Sequence, residues 1–178
     1  RGLGELVNYG LVLRPDEIYE VTHALIHTYA RLQLAPALTI THQLGNYYAQ
    51  FVTTNRAEFA QLNHMRPHMM ALLRTCRDQE AWQMANDLAW ALRGYLTLHG
   101  YWTDRVTTLE IGLAAARALQ NRQEEGAHLG SLGTVYRDLG QVEQAIVSYQ
   151  QALAIAQEIG DRQGEGARLG NLGTAYHN

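Results

Sequence analysis

The chain contains no lysine: its 14 basic residues are all arginine, set against 17 acidic ones. A P-loop completes its phosphate cradle with a lysine at a fixed place after its glycines. These residues therefore cannot make a P-loop NTPase by themselves. A net charge of −3 and a pI of about 6.2 leave no polyanion-binding signature, so nucleic acid is not an expected partner. Cysteine is nearly missing too. Cys76 stands alone, which excludes an intrachain disulfide and fits a cytoplasmic setting. No apolar run reaches the roughly 18 residues that a membrane-spanning helix needs, so no membrane partner is expected. Three prolines suit a mostly helical chain, and an apolar content of 47 % supplies a core.

What is present is a period. Residues 121–138, NRQEEGAHLGSLGTVYRD, align with residues 161–178, DRQGEGARLGNLGTAYHN, at an offset of 40, and eleven of the eighteen positions are identical. The same offset pairs Gly100 with Gly140, Val106 with Ile146, Leu113 with Leu153 and Ala116 with Ala156, so a degenerate copy spans residues 81–120. Each copy reads as helix, glycine turn, helix. Leu129, Leu132 and Tyr136 recur at spacings of three and four on one apolar stripe. Gly140 stands where a helix C-terminus takes a left-handed residue. Val142, Ala145, Ile146, Tyr149, Ala152 and Leu153 form the stripe of the second helix, and small residues at 133, 145 and 152 permit close approach.

The pattern resembles the tetratricopeptide repeat in a 40-residue form. Leu132-Gly133 match the family's Leu-Gly, Tyr136 its Tyr, and Ala145 and Ala152 its two helix-B alanines, while Leu129 replaces its Trp. The degenerate copy carries Arg93 where the Gly belongs. The resemblance implies a groove lined by first helices that holds a protein or peptide. Its groove positions fall on Gly130, Thr134, Arg137 and Asp138, then on Gly170, Thr174, His177 and Asn178. Asn171 matches an asparagine that some long-repeat members use to hold peptide backbone. The last copy stops after its first helix, so further repeats are expected beyond Asn178.

The front end has another pattern. Leu11-Val12-Leu13 and Ile18-Tyr19-Glu20-Val21 are strand-like around a Pro15-Asp16 turn, with an apolar helix end before them and a helix capped by Thr22 after them. Helix end, hairpin and helix make the back half of a winged helix, residues 1–34. Residues 35–80 read as helical connector. Leu44, Tyr47, Tyr48 and Phe51 form one stripe there, Phe59 and Leu62 belong to a second helix, and Pro67 opens a third that carries Met69, Met70, Leu73 and Cys76. A fourth helix begins near Glu80. The fold class expected is therefore all-α: a tetratricopeptide-like right-handed helical solenoid, preceded by a small winged-helix remnant with one β-hairpin. Residues 121–178 form its tetratricopeptide repeats, the last truncated.

This order of parts resembles the C-terminal half of bacterial STAND-class NTPases, the NB-ARC and NACHT-like signalling proteins. The specific stretches are the repeats and the phrase from Leu6 to Ile26. The family carries a Met-His-Asp-like motif after the wing; here Thr22-His23-Ala24 keeps only the His. The resemblance implies that His23 contacts the β-phosphate of ADP in the parent protein. It also implies that an NTPase module on the same chain supplies the ATP/ADP switch, with no cofactor bound by the repeats themselves. A trigger would then bind the repeats and be relayed through the connector to the winged helix. The competing reading is a stand-alone tetratricopeptide adaptor for a peptide or protein partner.

Other constellations carry less chemistry. His64 and His68 lie four apart, but no third ligand or HExxH spacing accompanies them, so no metal site is expected. Cys76 sits on an apolar stripe, as a structural thiol does. Gly126, Gly130 and Gly133 are spaced for helix packing rather than for a phosphate loop. Trp82, Trp90 and Trp102 read as packing residues, except that the repeat position of Trp90 points toward the groove. No nucleophile–base grouping shows a spacing logic, and no catalysis is expected.

Overall fold

A left-handed residue ends five successive helices, at Glu80, Gly100, Gln120, Gly140 and Gly160, with φ between 55° and 73°. After Gly140 the backbone follows the Schellman pattern: the Gly140 N–H donates to the Arg137 carbonyl at 2.9 Å and the Gln141 N–H to the Tyr136 carbonyl at 2.8 Å. The same two bonds recur at the other four turns, for example Glu80 to Arg77 at 3.0 Å and Ala81 to Cys76 at 2.8 Å. Each turn is therefore also the start of the next helix, which fixes the frame.

The computed structural model describes residues 12–13, 20–21, 38–54 and 59–177, and the chain divides into two compact units, residues 1–37 and 38–178. In the first unit β1 (Val12–Leu13) pairs antiparallel with β2 (Glu20–Val21), Val12 opposite Val21 and Leu13 opposite Glu20. His23 and the remaining parts expected of a winged helix lie outside the described residues. The described residues of the second unit form α1 (Leu38–Thr54), α2 (Phe59–Asp78), α3 (Trp82–Leu98), α4 (Trp102–Ala118), α5 (Arg122–Asp138), α6 (Val142–Glu158) and α7 (Arg162–His177). From α3 to α6 every helix has 17 residues, ~25 Å at 1.5 Å per residue. The degenerate copy, α3 and α4, thus has the same frame as α5 and α6.

Burial runs along the array as overlapping clusters, as expected when each helix pair packs on its neighbours. Leu62, Met69, Leu73 and Cys76 of α2 pack with Leu88, Leu92 and Leu96 of α3 and Ile111 of α4. Leu109, Leu132 and Val135 join α4 to α5, and Tyr149 and Ala145 of α6 meet Leu172 and Ala175 of α7. Polar bonds tie equivalent helices of consecutive pairs together. The Tyr101 hydroxyl donates to Asn63 Oδ1 at 2.6 Å, Arg66 pairs with Asp104, and Asn86 Nδ2 donates to Glu124 Oε2 at 2.6 Å.

Two expectations from the sequence are corrected. Pro67 does not open a helix; it lies inside α2, which runs unbroken from Phe59 to Asp78. A proline costs the carbonyl of Asn63 its helical donor. Leu62 before it and Met69, Met70 and Leu73 after it are nevertheless buried in one cluster, which keeps the helix continuous. The buried face of α1 coincides only in part with the expected stripe: Tyr48 and Phe51 pack against the core, but the other two members do not. Leu44 and Tyr47 are 41 % and 53 % exposed, while Thr41, Gly45 and Val52 are buried. Gly45 is part of that face: a Cβ there would lie 2.0 Å from the Met84 sulfur, so the glycine leaves the space that the Met84 side chain fills between α1 and α3.

Candidate functional site

First helices of successive pairs leave a groove of about 820 Å³ between them. Its walls are equivalent positions 40 residues apart: Trp90, Ala91 and Gly94 from α3 and Gly130, Ser131 and Thr134 from α5. Val52 of α1, Tyr95 and Leu98 of α3 add apolar surface, and Arg93, Arg105 and Arg168 add cations from α3, α4 and α7. No acidic side chain is among the lining residues.

The wall around Trp90 is held from behind by a buried polar relay. Asn86 Nδ2 donates to Glu124, which leaves Asn86 Oδ1 to accept from His128 Nε2 at 3.0 Å. That assigns the ring proton to Nε2 and leaves Nδ1 bare, without a hydrogen-bond partner. His128 is 0 % exposed; burial, with the nearby positive charge of Arg93, pushes its pKa down to about 4 and keeps it neutral. The imidazole stacks on Trp90 at 4.3 Å between centroids, and the Arg93 guanidinium sits over the same indole at 5.2 Å. Gly112 of α4 makes room for the imidazole, since a Cβ there would meet His128 Cε1 at 2.4 Å.

Arg105 is the unusual member. It is 7 % exposed, its Nε has no hydrogen-bond partner, and it sits in the first turn of α4, where the helix dipole opposes a cation. Burial lowers its pKa, the charge of Asp138 partly offsets this, and Arg93 lowers it further. Asp138 is itself held by Arg137 at 2.8 Å. Arg168 lies against Gly130: a Cβ on Gly130 would fall 2.3 Å from its Cζ. Among the described residues, Arg66, Arg77, Arg117, Arg122, Arg137 and Arg162 make ion pairs, whereas the three groove arginines make none.

Of the residues singled out in the sequence, Trp90, Thr134 and Gly130 line the groove. Arg137 and Asp138 pair with each other at the end of α5. Asn171, Thr174 and His177 lie on α7 but are not lining residues, and His23 and Asn178 lie outside the described residues. Trp82 and Trp102 pack against separate hydrophobic clusters, apart from Trp90. His64 and His68 are exposed on α2, and no group of three metal-ligating side chains occurs among the described residues. Cys76 is buried in the core, which pushes its thiol up to about 11.

Sequence reasoning missed Arg93, Arg105 and Arg168 as site residues. Their signal was present as departures from the repeat. Arg93 replaces the packing glycine equivalent to Gly133, and Arg105 replaces the alanine equivalent to Ala145. Arg168 stands at the position of His128.

Comparison with known proteins matches residues 123–177 to the tetratricopeptide repeat family. No curated protein matches the chain. Such repeats are protein–protein interaction elements, and no helix among the described residues is long and apolar enough to cross a membrane.

Proposed function

We propose that this chain is a non-catalytic protein-interaction segment that holds a peptide of its partner in the groove between α3, α5 and α7. The observation that supports this reading is the register of the walls. Positions 90, 91 and 94 recur as 130, 131 and 134, so one extended ligand meets the same geometry twice. The test is peptide selection from a random display library on the 178-residue chain, with binding of the selected peptides compared between wild type and Gly94→Trp. Gly94 lines the groove and a Cβ there has nothing within 4 Å, so an indole at this position is expected to occupy the groove, and an unchanged far-UV circular dichroism melt checks that the helices are intact. Loss of binding supports the groove; peptides that bind both proteins equally overturn it.

Within that reading, the resemblance of residues 6–26 to the end of a STAND winged helix favours a sensor arm over a stand-alone adaptor. Partner binding on the repeats would bias a two-state switch whose ATP/ADP is handled by an NTPase module of the same polypeptide, with His23 as the arm's contact to the nucleotide phosphate. A ligand shifts such a switch only through different affinity for its two states. The parent reading frame upstream of Arg1 tests this. A glycine-rich loop with Lys-Ser or Lys-Thr supports the sensor arm, and its absence leaves the adaptor.

A further inference from the structure

We infer that the groove selects an acidic peptide, whose Asp or Glu carboxylates seat on Arg93, Arg105 and Arg168 while its apolar side chains lie on Trp90 and Leu98. This rests on the groove reading above and names the chemistry of its ligand.

The argument starts from what the arginines replace. In the pair α5–α6, Gly133 and Ala145 are the small residues that let the two helices touch, and Gly133 abuts the ring of Tyr149. In the pair α3–α4 both positions hold arginine, and Leu109 stands where Tyr149 would be. The two guanidinium groups lie over the rings of Trp90 and Trp102 instead of letting the helices touch, and the charge of Arg93 raises the cost of keeping Arg105 charged. Arg105 adds burial, an unpartnered Nε and the wrong end of a helix dipole. A buried cation whose neighbouring carboxylate, Asp138, is already paired with Arg137 is a costly arrangement. It is relieved when a carboxylate arrives from outside, and guanidinium is the side chain best matched to that geometry.

The surrounding contacts aim these groups rather than neutralise them. Trp90 holds Arg93 by a cation–π contact, and the Glu124–Asn86–His128 relay holds Trp90. Gly130 leaves the space in which the Arg168 guanidinium lies at the groove wall. The apolar neighbours favour a peptide over a polyanion.

The test uses the 178-residue chain and a fluorescein-labelled peptide of repeating Glu-Leu-Gly, with its Gln-Leu-Gly counterpart as control, read by fluorescence anisotropy. The Glu peptide is expected to bind at least about tenfold tighter than the Gln peptide, the size of one charge-assisted hydrogen bond. Arg93→Gln and Arg168→Gln should each remove most of that preference. Arg105→Gln should remove it too while raising the melting temperature, because the unpaired cation is gone; a misfolded protein would show the opposite thermal shift. Equal binding of both peptides, with both lost in Gly94→Trp, overturns the acidic preference and leaves the groove reading standing. Binding of neither peptide at about 1 mM, or displacement of the Glu peptide by inorganic phosphate at equal concentration, also overturns it.

Discussion

Gly133 and Gly173 occupy the same place in consecutive repeats, yet the structure gives them different surroundings. A Cβ on Gly133 would sit 2.6 Å from Cδ1 and from Cε1 of Tyr149, whereas a Cβ on Gly173 meets nothing within 4 Å. Tyr149 cannot swing away cheaply. It is fully buried among Ala145, Leu172 and Ala175, and its hydroxyl donates to Thr134 Oγ1 at 3.2 Å. Replacing a mid-helix glycine by alanine contributes about 1 kcal/mol of helix propensity. Overpacking a filled core costs about 1–3 kcal/mol. Gly173→Ala should therefore gain up to ~1 kcal/mol, and Gly133→Ala should range from neutral to a loss of ~2 kcal/mol. The assay is urea denaturation followed by far-UV circular dichroism, with both variants measured beside wild type. A third comparison isolates the cause: in a Tyr149→Leu background, which copies Leu109 of the preceding pair, Gly133→Ala should become stabilising. If Gly133→Ala and Gly173→Ala shifted the midpoint alike, the glycine–tyrosine contact would not be what sets the spacing of α5 and α6.

Three further outcomes follow from the same packing. Leu132→Asp places an unpaired charge beside Leu109 and Val135 and should abolish the cooperative melt of the repeats; an unchanged melting curve refutes the register assigned to α5. His128 is neutral in the fold with a pKa of about 4, while the unfolded chain takes up that proton near 6.5. The unfolded state thus binds more protons between those values, and stability should fall as pH drops through that window, by ~3 kcal/mol in full. His128→Leu should flatten that component of the slope, and equal slopes for wild type and variant would show that His128 is not the titrating group. Calorimetric titration of the 178-residue chain with ATP or ADP should give no binding heat, and micromolar affinity would contradict the assignment of nucleotide to another module.

The repeat frame was readable because residues 121–138 and 161–178 keep the same small and apolar residues at the same spacing. The frame of the preceding helices was harder to see because the residues that end α2 and α4 in the left-handed conformation are Glu80 and Gln120, not glycine. Hydrogen bonds from the turn hold those conformations, so the sequence carries no marker there. The packing face of α1 was partly hidden for a related reason. Close contact is made through Thr41 and Gly45, which a search for apolar stripes passes over, while Leu44 and Tyr47 face outward. Trp90 and Thr134 came from the repeat pattern alone. The arginines did not, since a family pattern marks the positions that must stay small and is silent on what a cation does when it takes one of them.

The equal length of the helices has a consequence for how such a chain can change. Each residue advances a helix by about 100° and 1.5 Å. Deleting one residue from the middle of α5 would leave every side chain intact, yet rotate all that follows by about a quarter-turn or more. Arg168 would then no longer meet the wall that Gly130 keeps open for it. The chain works as a ruler in which phase carries as much information as side-chain chemistry. Substitutions alter one mark on the ruler, whereas insertions shift every mark beyond them, unless a whole helix-and-turn unit is added at once.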